Sequence, residues 1–107
     1  MNYKLTFLAC LLSTNVLAGE LTKNATVLEV ANHATGGNGK NFALKIEGGT
    51  GPCSGWVYFM EDKAPSPATY NQAFSIALAA LAADKKVRIH NYTDDNCTGA
   101  TFIAISR

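Results

Sequence analysis

Residues 66–92 read SPATYNQAFSIALAALAADKKVRIHNY, and the order in this stretch, helix then strand, decides the fold. Ser66 followed by Pro67 is a helix start, with serine as N-cap and proline at the first helical position. The helix is expected to run to about Asp84. Tyr70, Phe74, Ala77, Leu78 and Leu81 recur at spacings of three and four, a stripe expected to face a sheet. The opposite side holds Ile76, Ala79, Ala80 and Ala83, and no charged residue occurs from Ala73 to Ala83. Two explanations stand: an alanine-rich surface helix favoured by propensity, or a helix whose second face meets neighbouring subunits. Directly after it, residues 87–92 read as a strand.

Outward from this stretch, residues 26–34, 42–47, 56–60 and 100–105 read as four more strands. The second has the cleanest alternation, with Phe42, Leu44 and Ile46 on one face and Ala43, Lys45 and Glu47 on the other. The third and fifth are apolar on both faces, so both are expected to be covered on both sides. Glycine-rich stretches at 36–39 and 48–52 read as hairpin turns. Gly39-Lys40 has the look of a nucleotide-binding loop, but Asn41 replaces its Ser or Thr and Ala34 stands where its first glycine belongs. The whole is mainly β with one α-helix, and the order β-β-β-α-β-β is that of a five-stranded OB-fold barrel.

The N-terminal segment reads as an export signal. Lys4 precedes an apolar run from Leu5 to Leu12, and Val16-Leu17-Ala18 suits a signal peptidase cutting after Ala18. Residues 1–18 are therefore a leader and 19–107 a single domain, secreted or periplasmic. Once the leader with Cys10 is removed, Cys53 and Cys97 remain, and in an oxidising compartment two cysteines imply one disulfide.

The 107-residue chain carries nine basic and eight acidic residues, 16% charged in all. It lacks the cationic surplus that nucleic acid requires, and its apolar run is too short to span a membrane. His33 and His90 add too few ligands to the cysteine pair for a metal site, and no cofactor motif is present. Ser54, His33, His90, Asp94 and Asp95 are the available parts of a hydrolase, yet none falls in a catalytic motif, so the chain reads as non-enzymatic. Asn24, Asn91 and Asn96 each begin an N-glycosylation triplet, a coincidence if the short leader is bacterial.

Ala68-Thr69-Tyr70-Asn71-Gln72-Ala73 opening a helix, Lys86-Val87-Arg88-Ile89-His90-Asn91-Tyr92 as the next strand, and Ile46-Glu47-Gly48 ending the second strand together carry a resemblance. The chain resembles the B subunits of AB-type bacterial toxins, of the subtilase-cytotoxin and pertussis-like group. That resemblance implies a homo-oligomeric ring, a pentamer, with helices lining the pore, binding host cell-surface glycans and partnering a catalytic A chain. It places sugar contacts near the start of the first strand, where Asn24 and Thr26 offer hydrogen bonds, and at Tyr92 with Asp94. It also assigns Ile76, Ala79, Ala80 and Ala83 to the subunit interface. The other class left open is an exported inhibitor or accessory protein that binds another protein by a loop.

Overall fold

A computed structural model describes residues 19–32 and 40–106. The leader, His33 and the turn at 36–39 lie outside these described residues. Strands β1 (Glu20–Asn32), β2 (Asn41–Glu47) and β3 (Gly55–Met60) are followed by a short 3-10 turn at Glu61–Lys63 and helix α1 (Pro67–Ala83). Strands β4 (Lys86–His90) and β5 (Phe102–Ser106) complete one antiparallel sheet in the order β3-β2-β1-β4-β5. The mainly β class and the sequence of elements are as expected.

The barrel is not closed. β3 and β5 stand at opposite ends of the sheet and share no ladder. A single parallel bridge, Phe59 to Ala100, joins the ends just ahead of β5. At this seam Tyr58 N donates to Cys97 O (2.9 Å) and Ala100 N to Tyr58 O (3.1 Å). Beyond Ala100 the chain pairs with β4, so the seam stops after one bridge. The Cys53–Cys97 disulfide, expected from the sequence, lies beside it and spans 44 positions.

β1 begins six residues earlier than its alternation suggests. Leu21, Thr22 and Ala25 are buried against an exposed Lys23-Asn24 pair. Asn24 sits at φ 62, and the pairing with β4 shifts register on both sides of Thr22. A bulge adds residues to one strand and breaks the period of two that a sequence reading depends on. β4 ends at His90 because Asn91 enters a turn. Ile105 is exposed, so β5 is not covered on both sides as expected, and Trp56, Tyr58 and Met60 on the second face of β3 are half-buried.

The helix starts as the sequence requires: Thr69 N donates to Ser66 Oγ (3.1 Å) and Ser66 N to Thr69 Oγ1 (3.0 Å). Its inward face differs from the expected stripe. Ala73, Ala77 and Ala80 are buried, while Phe74, Leu78 and Leu81 are exposed. Three alanines at i, i+4 and i+7 let the helix backbone approach the sheet closely, and the volume beneath is filled from the sheet side. Phe42 stacks on Phe59 with centroids 4.7 Å apart and meets Tyr70 and Phe74 at 5.3 and 5.1 Å. Tyr70 and Ile76 pack at the margin of this core.

Candidate functional site

The turn between β4 and β5 is organised by Asn91, a polar side chain only 2% exposed. Its Nδ2 donates to Asp94 Oδ1 (2.7 Å) and Asn96 O (3.0 Å). Its Oδ1 accepts from Thr93 N (3.0 Å) and Thr93 Oγ1 (2.8 Å). Asn96 repeats the device one step on, its Oδ1 accepting from Thr98 N (2.9 Å) and Thr98 Oγ1 (2.7 Å). Asn side chains satisfy backbone donors two residues ahead, which is how a turn rich in Asn, Asp and Thr holds shape without strand pairing. The glycosylation triplet at Asn91 thus begins on a buried residue with its amide fully engaged.

With the turn fixed, Tyr92 is held outward, 68% exposed. It lines a cavity of about 350 Å3 with Lys63, Pro65, Asn91, Thr93, Gly99 and Thr101. Thr101 Oγ1 is buried without a hydrogen-bond partner. The same residue lines a second cavity of about 210 Å3 between α1 and β5, with Thr69, Gln72 and Ile76. Thr101 therefore stands between two hollows that adjoin the edge of β5.

Beside Tyr92 the outward side of β4 and β5 carries an aromatic cluster. His90 lies 5.4 Å from Phe102 and 6.0 Å from Tyr92, and the Arg88 guanidinium sits 5.4 Å from the Phe102 centroid. Glu20 Oε1 approaches His90 Nε2 to 3.7 Å. An exposed ring, a cation and several hydroxyl and amide groups around a shallow hollow suit a polyhydroxylated ligand, whose C–H face stacks while its hydroxyls exchange hydrogen bonds.

The residues expected to make one sugar site do not come together. Thr26 pairs with Lys86, and its Oγ1 accepts from Lys86 Nζ (2.7 Å). Lys86 and His90 mark opposite ends of β4, about 13 Å apart at strand spacing, and Tyr92 follows beyond the His90 end. Asn24 is in the β1 bulge near that same far end, so Asn24 and Thr26 are separate from Tyr92. Asp94 adjoins the cavity residues but spends its Oδ1 on Asn91 and on Asn96 N (2.8 Å). It shapes the turn more than it faces the hollow. Lys63, Pro65 and Thr101 escaped the sequence reading, since each is ordinary in its own segment and only the fold brings them to Tyr92.

The expected interface set is also divided. Ala80 is 1% exposed in the chain's own core, and Ile76 packs against that core. Ala79 and Ala83 do face outward. The exposed large apolar side chains of α1 are Phe74, Leu78 and Leu81.

Among the described residues no group of three or more His, Cys, Asp or Glu could hold a metal, and no helix is long and apolar enough to cross a membrane. No curated protein and no solved structure matches the chain. Over residues 2–107 the sequence matches the model of a family of unknown function (DUF5992), and the chain belongs to that family.

Proposed function

We propose that the chain is an exported, non-catalytic binding subunit that takes a cell-surface carbohydrate at the Tyr92 cavity and gains strength by self-assembly. The observation that carries this reading is the exposed Tyr92 ring, fixed by the Asn91 turn over a hollow lined by Thr93, Thr101 and Lys63. The resemblance to toxin B subunits supports the ring-shaped assembly and a catalytic partner chain. A single shallow sugar site supplies about −4 kcal/mol, near millimolar affinity. Several sites on one ring raise apparent strength by a hundredfold or more without new contacts. The test is retention on a broad glycan array of the processed, disulfide-bonded protein. Tyr92→Ala abolishes retention on this reading while leaving circular dichroism and oligomeric state unchanged; an assembled ring that retains no glycan rejects it.

The exposed Phe74, Leu78 and Leu81 stripe favours a second reading, an inhibitor or accessory protein that docks on another protein. Light scattering separates the two. A ring buries the stripe between copies, whereas a monomer leaves it for a different protein.

A further inference from the structure

We infer that removal of the leader creates a structural cation: cleavage between Ala18 and Gly19 leaves the α-ammonium of Gly19 paired with Asp95, clamping the turn that carries Tyr92. The inference rests on the reading of the chain as exported and extends it to what the new terminus does.

Gly19 is buried, and its N donates to Asp95 Oδ1 (3.1 Å). Its carbonyl accepts from Asn91 N at 2.7 Å. One residue thus grips the turn at two points, on the backbone of Asn91 and on the side chain of Asp95. A Cβ on Gly19 would stand 2.4 Å from Asn91 O, so the close approach of the two backbones favours glycine there. Two independent readings meet at the same bond. Val16-Leu17-Ala18 sets the peptidase cut on one side of it, and on the other side β1 starts at once, with Glu20 paired to His90.

The step is a hydrolysis by a leader peptidase. The Ala18 carbonyl carbon to Gly19 nitrogen bond breaks, the water oxygen joins Ala18 as carboxylate, and both water protons end on the Gly19 amine. That amine has an ordinary pKa of about 7.7–8.0, so it is cationic at neutral pH. An amide donor to Asp95 becomes a charge-assisted one, which is shorter and stronger. Asp94 and Asp95 are adjacent, and the ammonium supplies the counter-charge this acidic turn otherwise lacks from its own residues. With Gly19 buried and its carbonyl bonded, the cut precedes folding of the strand, as it does during translocation.

The test uses protein exported with its own leader. Intact mass is expected to give a chain that begins at Gly19; another N-terminus overturns the inference and leaves the carbohydrate reading untouched. Inserting Thr-Asn between Ala18 and Gly19 restores an amide at Gly19 and moves the charge outward. This insertion and Asp95→Asn are each expected to lower the thermal midpoint by about 4 °C or more. Combined, they lower it no further than the larger single change. Additive shifts, or an insertion without effect, overturn the clamp. Acylation followed by mass spectrometry needs no Asp95 variant: the wild-type α-amine is expected to react at least about tenfold more slowly than that of the insertion variant. Equal rates overturn the proposal. Failure of Tyr92→Ala to change glycan retention, by contrast, bears on the function alone.

Discussion

Asn91 is gripped at both ends of its amide, and the polarity of those contacts makes its near-isosteric replacement worse than its truncation. In Asn91→Asp a carboxylate oxygen takes the place of Nδ2, facing Asp94 Oδ1 and Asn96 O where a donor is required. Truncation to alanine strands donors and acceptors that water can partly reach from the exposed turn. Expected costs are about 3 kcal/mol for Asn91→Asp at neutral pH and about 1–2 kcal/mol for Asn91→Ala, read from urea midpoints. The aspartate deficit shrinks as pH falls towards 4, since protonating the introduced carboxyl restores a donor. Tyr70 titrates at the other extreme. Burial, with the Glu61 carboxylate adding to it, pushes its hydroxyl above the usual 10. The unfolded chain then loses the Tyr70 proton first, so stability is full below pH 10 and falls as pH rises through the native value. Tyr70→Phe is expected to flatten that alkaline limb in denaturation curves measured across pH 9–12, with no change in the limb counting against the assignment.

At the scale of the element, α1 carries no charged residue on any side, and charge scanning separates its faces. Ala80→Glu places an unpaired carboxylate in the core, and loss of about 3–5 kcal/mol or failure to fold is expected. Leu78 is 43% exposed, so Leu78→Glu costs the monomer less than about 1 kcal/mol. In an assembly built on the stripe it dissociates the oligomer, and sedimentation of a folded monomer is the expected outcome. An unchanged oligomer would place the contact elsewhere on the chain. The contrast shows where sequence was informative. Ser66-Pro67 fixed the helix start because capping is a local hydrogen-bonding problem, and Phe42, Leu44 and Ile46 marked β2 by their period of two, although Ala43 on the other face is buried as well. The helix orientation was hidden, since with no charged face the stripe of largest residues looks like the core when alanines are what pack closest. The first six residues of β1 were hidden by the bulge at Lys23-Asn24. The Tyr92 cavity was half legible: the exposed aromatic could be noticed, whereas Lys63 and Thr101 reach it only through tertiary structure.

For the whole molecule the decisive weakness is the seam between β3 and the segment before β5, where one bridge stands in for a ladder. Cys53 precedes β3 and the Cys97 carbonyl accepts from Tyr58 N, so the disulfide holds together the two ends that the sheet leaves apart. Cross-linking a loop of 44 positions contributes about 4 kcal/mol in the chain-entropy model. That is a large share of the reserve of so small a domain. Replacing both cysteines by serine is therefore expected to lower stability by about that amount and, under conditions where the domain stays folded, to do so unevenly. Amides of Tyr58 and Ala100 at the seam should exchange by local opening well before those of the β1–β4 and β1–β2 ladders, which lie in the middle of the sheet. The Asn91 turn connects β4 to that seam through Cys97, so on the proposed carbohydrate reading its loosening should also weaken glycan retention at Tyr92 under reducing conditions. Hydrogen exchange with and without reductant measures this directly. Uniform acceleration across all five strands would mean that the disulfide acts only on the unfolded chain and that the seam holds by its own packing.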